Sequence, residues 1–195
     1  MSNSATPYGF LENGLIDGAE PTFGLYEGSL GASNSHSIYQ GDPAVLSAGL
    51  FDVASVTGNT GAAVAGIFES FSWLSISAGM RVRTRAWLGN TADLVATSVV
   101  SCKVRMHPFL IIRGKVTGAS GNPVVQANVG SGINFSLGAG PGANQVSTFS
   151  FDATTINSTL GSLPFKIYGL VQPPASDPTV ANNDILATFN LPITP

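Results

Sequence analysis

The chain has 195 residues, of which 44% are apolar and only 10% are charged, and its formal net charge is −3 at pH 7. This length suits one domain with a core of its own, and the single cysteine excludes an internal disulfide. No apolar run approaches the roughly 18 residues of a membrane span, and the N-terminus lacks the basic start and apolar stretch of a signal peptide.

The low charge leaves two interpretations open. Ordinary globular domains carry about 25% charged residues. The surface of this chain is therefore either polar but uncharged, or much of it meets other protein.

Residues 1–35 predict an extended N-terminal arm. Six glycines divide this segment into pieces too short to form an independent core. Its large apolar residues are nevertheless too numerous for a solvated tail. We expect Tyr8, Phe10, Leu15 and Ile16 to contact a partner surface, which is supplied either by this chain's own sheet or by a neighbouring subunit.

The remaining residues, 36–195, predict an all-β domain. The chain contains 23 glycines and 12 prolines, and they punctuate it every 8–12 residues or so, which is the spacing of short antiparallel strands. Helical periodicity is nearly absent, and the best helix candidate is the short segment 152–160. We therefore predict an antiparallel β-sandwich or barrel-like domain with the arm attached.

The basic residues are concentrated in the centre of the chain. Seven of the eight are Arg81, Arg83, Arg85, Lys103, Arg105, Arg113 and Lys115. Formal charge is −7 over residues 1–80, +6 over residues 81–115 and −2 beyond, so the acidic and basic parts either have different roles or face each other across a contact.

Strand alternation predicts how these cations are arranged. Arg81, Arg83 and Arg85 fall on one face of a strand, with Trp87 on the same side. Three successive strands, 80–88, 94–106 and 109–116, are expected to pair as a meander. This pairing would gather the cations on one sheet face, which is either an ordinary solvent face or a docking face for acidic protein.

The sequence contains no pattern that indicates an enzyme. His36, His107 and Cys102 are too few and too far apart for a metal site, and the carboxylates are scattered through turns. The glycine-rich loops lack the Gly-Lys-Ser/Thr ending of a phosphate loop. A pI of about 5.1 and only one aromatic residue among the cations argue against nucleic-acid binding. We predict no catalysis, no metal, no cofactor and no nucleic-acid or membrane partner.

Several short motifs follow one another along the chain. After the N-terminal SNSATPYGF come IYQGDPAVL at 38–46, AGIF at 65–68, RAWL at 85–88, FSFD at 149–152, LPFKIYGL at 163–170 and NDIL at 183–186. Their order, over most of the chain, resembles that of bacteriophage head decoration (cement) proteins.

This resemblance implies a virion protein. Such proteins lie on the outer surface of a filled head, over the joints between major capsid subunits, often as trimers or clusters of sister copies. Here residues 36–195 would form a β-rich decoration domain, assembled onto heads in the host cytoplasm, and 1–35 a lattice-engaging or bridging arm. The seven cations, with Tyr8, Phe10, Leu15 and Ile16, would contact capsid or sister subunits.

Two alternatives stay open. A receptor- or glycan-binding β-domain of a head or tail spike would need exposed aromatic side chains, for which Trp73 and Trp87 are the only tryptophans. A tail-tube or minor capsid subunit is the other structural possibility.

Overall fold

The computed structural model describes residues 3–4, 6–18, 24–31, 34–54, 64–118, 123–138, 146–158 and 163–190. Regular structure within these ranges consists of β-strands and two 3-10 turns, at Thr91–Asp93 and Gln126–Asn128. In chain order the strands are β1 (Leu11–Leu15), β2 (Leu25–Ser29), β3 (Ser37–Tyr39), β4 (Pro43–Ser47), β5 (Leu50–Val53), β6 (Gly66–Leu74), β7 (Arg81–Thr84), β8 (Ala86–Leu88), β9 (Ser101–Arg105), β10 (Leu110–Thr117), β11 (Gly132–Ser136), β12 (Ser150–Asn157), β13 (Phe165–Leu170) and β14 (Asp184–Phe189). The all-β prediction is confirmed. Among the residues in these ranges, no helix has the length and apolar character needed to cross a membrane.

Five C-terminal strands close into a barrel, here called the C-terminal barrel. Hydrogen-bonded neighbours follow the order β10-β12-β11-β13-β14, and β14 pairs in turn with β10. The β10–β12 contact is parallel and the other four are antiparallel. Because side chains alternate across each strand, one set fills the interior. Among these fully buried side chains are Ile112, Phe135, Phe151, Phe165 and Ile185. The barrel-like prediction is confirmed.

Phe10 anchors the N-terminal segment in this barrel. It immediately precedes β1, which pairs antiparallel with β10. The Phe10 ring lies 4.7 Å from the ring of Phe151 and 5.4 Å from that of Phe165, centroid to centroid. A Cβ atom on Gly114 would lie 2.7 Å from the Phe10 ring, so the absence of a side chain there makes room for it.

A second sheet, the N-terminal sheet, has the strand order β2-β9-β6-β4-β5, with β7 paired to β6 beyond the end of β4. A bridge between Leu30 and Phe51 brings the two ends of this order together, and the sheet curls around a second core. Phe68, Phe71 and Trp87 are fully buried in that core. The two-stranded ribbon of β3 and β8 contributes Trp87, whose Nε1 donates to the carbonyl of Asn34 at 3.1 Å.

Gly41 joins the two sheets. Its N–H donates to the Phe68 carbonyl at 2.9 Å, and its own carbonyl accepts from Phe10 N at 3.1 Å. Close by, Ser147 N donates to the Gln40 carbonyl at 2.9 Å. Gly41 has a φ of +90°, and a Cβ there would lie 3.1 Å from the Phe10 carbonyl oxygen. Both the conformation and the space therefore favour glycine.

Two described parts of the predicted arm pair with sheets of this chain. β1 pairs with β10, and β2 pairs with β9 from Leu25 opposite Arg105 to Ser29 opposite Ser101. These parts therefore follow the own-sheet alternative. That residues 1–35 form a separate arm stays a prediction, because 1, 2, 5, 19–23, 32 and 33 lie outside the described residues.

The helix predicted over 152–160 is wrong. The structure places strand β12 at Ser150–Asn157, while 159 and 160 lie outside the described residues. Thr154, Thr155 and Ile156 are β-branched and favour extended backbone. Asp152 does not cap a helix: its Oδ1 accepts from the N–H and the hydroxyl of Thr154, at 2.9 and 2.7 Å.

The predicted three-strand meander is also wrong. β7 and β9 both pair with β6, so that Ser72 lies opposite Arg83 on one side and Ser101 on the other. β10 belongs to the C-terminal barrel. Of the predicted strand 94–106, only Ser101–Arg105 is a strand.

Trp87 does not share a face with the arginines, contrary to the prediction. The chain bends at Arg85, so that β7 ends at Thr84 and β8 begins at Ala86. This bend ends the alternation that began in β7, and Trp87 turns into the core with 0% of its surface exposed.

Candidate docking face

Five of the predicted contact cations lie together on the outer face of the N-terminal sheet. β7 supplies Arg81 and Arg83, and Arg85 directly follows it, forming what is called here the β7 row. β9 supplies Lys103 and Arg105. Because β7 and β9 flank β6, the two rows are about 10 Å apart, twice the spacing of neighbouring strands.

Between the two rows lies a trough, defined as the surface over β6 that these five cations border. Two adjoining clefts occupy it, with volumes of about 570 and 380 Å³, and Ser70, Arg83 and Lys103 line both. Ser70 and Ser72 provide small hydroxyl side chains along β6. Arg81 Nη1 donates to Ser72 Oγ at 3.2 Å, so this guanidinium leans over the trough and not away from it.

Carboxylates lie on the β9 side of the trough. Arg105 forms ion pairs with Glu12 of β1 and with Glu69 of β6, the latter with Nε 3.2 Å from Oε2. Glu27 of β2 lies opposite Lys103 in the β2–β9 register, an arrangement in which opposite charges stabilise a sheet. The acidic N-terminal part of the sequence thus faces the cationic part within one chain.

The β7 row has no such partner among the residues described. Arg81, Arg83 and Arg85 are all exposed, and none forms an ion pair with another described residue. A guanidinium group recognises a carboxylate through two parallel hydrogen bonds. Three such groups, at alternate positions along the chain, are therefore available to an external acidic partner.

Exposed apolar side chains adjoin one end of the β7 row. Leu74 lies opposite Arg81 in the β6–β7 register, and Met80 precedes Arg81 in the chain. Leu74, Ile76 and Met80 are 37, 58 and 61% exposed. Arginine and methionine are both enriched in protein–protein interfaces, so this corner combines charge with apolar surface.

Arg113 and Lys115 are not brought to the trough. They belong to β10 in the C-terminal barrel, where both bind Asp184 of β14. Lys115 Nζ donates to Asp184 Oδ1 at 2.9 Å and to the carbonyl of Asn182 at 3.1 Å, and Lys115 is only 5% exposed. Arg113 Nε and the Tyr8 hydroxyl donate to Asp184 Oδ2 at 2.9 and 2.7 Å.

This cluster shifts the pKa values of Asp184 and Tyr8 in opposite directions. Burial alone would raise the pKa of Asp184, but hydrogen bonds from Lys115, Arg113 and Tyr8 outweigh it and hold that pKa below its usual range. Burial, reinforced by the hydrogen bond to Asp184, raises the pKa of the Tyr8 hydroxyl well above its usual value. The cluster is thus a neutral phenol and two cations around one carboxylate, and it ties the N-terminal segment to the barrel.

The four predicted apolar contact residues have different environments. Phe10 is 2% exposed and belongs to the barrel core, and Leu15 is partly buried against that core. Tyr8 is bound to Asp184 as described. Ile16, at 42% exposed, remains open to solvent in this chain.

Sequence reasoning missed the floor of the trough and the partners of Arg105. The alternation of Ser70 and Ser72 with Phe71 and Trp73 is a usable signal, since alternate residues of a strand face opposite sides. No local pattern indicates the pair of Arg105 with Glu69, because 36 positions separate them.

The structure also shows the surroundings of the candidate metal-binding and nucleophilic side chains. Nowhere in the described ranges do three or more His, Cys, Asp or Glu residues come together as a metal site. Cys102 is buried, and burial raises the pKa of its thiol to about 12. A thiol with such a pKa is neutral at physiological pH and therefore a poor nucleophile.

Comparison of the chain with known protein families, with curated proteins and with solved structures found no match.

Proposed function

We propose that this chain is a non-catalytic capsid decoration protein. It binds the outer surface of an assembled viral head, with the major capsid protein and sister copies as its partners. The observation that carries the proposal is the β7 row, three exposed arginines without an ion pair to the described residues and beside exposed apolar side chains. The order of short motifs supports the viral context.

The apolar corner and the arginines would contribute to such a contact in different ways. Burial of the apolar corner contributes roughly 25 cal/mol per Å², before the cost of ordering both partners is subtracted. The arginines add orientation and selectivity for an acidic surface. A protein that binds only the assembled lattice stabilises that lattice by mass action.

Binding to purified heads that lack this chain tests the proposal. We expect the protein to saturate at hundreds of copies per head, with affinity that falls as salt is added. Replacing Arg81, Arg83 and Arg85 together by glutamate should weaken binding roughly tenfold or more, because three favourable contacts become repulsive. It should also reduce the salt dependence.

The matched control is Lys166→Glu, which reverses an exposed cation in β13 of the barrel. It should bind heads like the parent. If the parent chain does not bind heads, the proposed function is refuted. If the triple variant binds as tightly as the parent, docking does not use the β7 row.

The two tryptophans do not favour the glycan-binding alternative. Trp87 is fully buried, and Trp73 is partly buried and packs against it with 5.1 Å between ring centroids, so neither is a fully exposed aromatic side chain. Copy number per particle separates the remaining structural alternatives, since a tail tube or minor capsid subunit would be present in far fewer copies than a decoration protein.

A further inference from the structure

We propose that the trough binds an extended polypeptide segment that carries a carboxylate at every second residue. The inference rests on the proposed function, because it names the chemistry of the partner at that same face. Three further observations support it: the spacing of the arginines, the position of the carboxylates across the trough, and the absence of exposed aromatic rings among the residues that line the trough.

The spacing of the arginines in the β7 row determines how often a carboxylate should recur along the bound segment. Side chains on one face of a strand repeat about every 7 Å, or two residues. Arg81 and Arg83 follow this alternation within β7, and Arg85 lies at the bend directly after the strand. A bound segment in extended conformation has the same repeat. Acidic residues at positions i and i+2 of that segment would therefore meet Arg81 and Arg83, and a third at i+4 would be directed towards Arg85, which lines the adjoining cleft.

The opposite side of the trough disfavours additional carboxylates. Glu27 lines one cleft and Glu69 lines the other, and Arg105 is already paired with Glu69. The residues between the acidic positions would point towards this side. Small, uncharged side chains there avoid repulsion and can bond to the hydroxyls of Ser70 and Ser101, which also line the clefts.

The lining favours polypeptide over nucleic acid. Single-stranded nucleic acid is bound by stacking its bases on exposed aromatic rings. Phe71 is the one aromatic residue among those lining the two clefts, and it is 1% exposed. The trough therefore offers charge and hydroxyl groups but no ring face.

Two peptides of identical composition test the period. One is Ser-Glu-Ser-Glu-Ser-Glu-Ser and the other is Ser-Ser-Glu-Glu-Glu-Ser-Ser, each labelled with a fluorophore and titrated with the full chain at low salt. The alternating peptide places three carboxylates towards the β7 row, whereas the contiguous one directs at least one towards Glu27 and Glu69. We expect the alternating peptide to bind at least about threefold more tightly.

Single-cation variants locate the site. Arg83 lines both clefts, so Arg83→Ser should weaken the alternating peptide about two- to fivefold. Lys166→Ser, which removes one exposed cation from the barrel, should leave its affinity unchanged. A single-stranded oligonucleotide of equal charge should fail to displace the peptide.

The outcomes separate this inference from the proposed function. Equal affinities for the two peptides, no binding of either, or ready displacement by the oligonucleotide would overturn the inference. Binding to heads would still support a decoration role in each of those cases. Selective binding of the alternating peptide by a chain that does not bind heads would support the inference and refute the proposed function.

Discussion

Asp42 provides a test of the junction between the two sheets. It follows Gly41, is 1% exposed, and its Oδ2 accepts a hydrogen bond from Tyr39 N at 2.8 Å. Its Oδ1 is buried without a hydrogen bond from the described residues. Burial raises the pKa of this carboxyl from 3.8 to about 6, while the Ser147 hydroxyl and the Tyr39 amide offset part of the shift.

The sign of the effect on stability follows from linkage. Because the pKa is higher in the folded protein than in the unfolded chain, folding favours the protonated carboxyl. Asp42 therefore does not lower the free energy of unfolding below about pH 4. That free energy falls as the pH rises from about 4 to about 6. Above pH 6 the penalty is constant, and a pKa that rises from 3.8 to about 6 corresponds to about 3 kcal/mol.

Asp42→Asn removes the ionisable group and keeps an acceptor for Tyr39 N. The new amide needs a hydrogen-bonding partner of its own, which costs about 1–2 kcal/mol. We therefore expect a net gain of about 1–2 kcal/mol in the free energy of unfolding at pH 8. That gain corresponds to about 2–8 °C in Tm for a chain of this size. At pH 4 the gain should vanish or reverse.

Urea unfolding of parent and variant from pH 4 to pH 8 measures both quantities, and subtracting the two curves cancels the titration of other groups. Glu27→Gln is the control, because it removes an exposed carboxylate and should shift stability little at any pH. A variant that is less stable than the parent at pH 8, with an unchanged pH dependence, would refute the reasoning.

Three further predictions concern the core and the buried charges. Phe10→Ala should cost about 3–5 kcal/mol in urea unfolding, as for a buried aromatic residue, whereas Ile16→Ala, at a position 42% exposed, should cost well under 1 kcal/mol. Asp184→Ala should cost about 3–5 kcal/mol, because it leaves Lys115, only 5% exposed, without its carboxylate; a cost below 1 kcal/mol would show that water replaces the pair. Cys102, 1% exposed, should react with a disulfide reagent only as fast as the protein unfolds, and rapid labelling of the native protein would contradict its burial.

Local sequence patterns predicted where the strands lie, but not which strands pair with one another. Glycine and proline spacing indicated an all-β chain, and alternation correctly placed Arg81 and Arg83 on one face, because both signals depend only on nearby residues. Strand pairing depends on distant ones: β6, with β7 on one side and β9 on the other, was not identified as the centre of the candidate site. The bend at Arg85 shows the limit of alternation, since counting by twos holds only while a strand continues.

The charge pattern had the same limit. Lys115 and Arg81 are alike in sequence context, each a cation alternating with apolar or small residues. One is buried against Asp184, which lies 69 positions away, and the other is exposed on the trough. A cation can be assigned to a docking surface only after its carboxylate partners within the fold are known.

This distinction is the strongest argument for the β7 row as the contact surface. Four of the central cations have a carboxylate beside or opposite them. Asp184 pairs with both Arg113 and Lys115. Glu12 and Glu69 pair with Arg105, and Glu27 lies opposite Lys103. An ion pair within the chain leaves little charge for a partner, whereas an unpaired exposed guanidinium retains it. Arg81 and Arg83 share one face of β7, Arg85 directly follows the strand, and none of the three forms an ion pair with another described residue. A partner with an ordered row of acidic groups therefore fits these cations better than one with a diffuse negative charge.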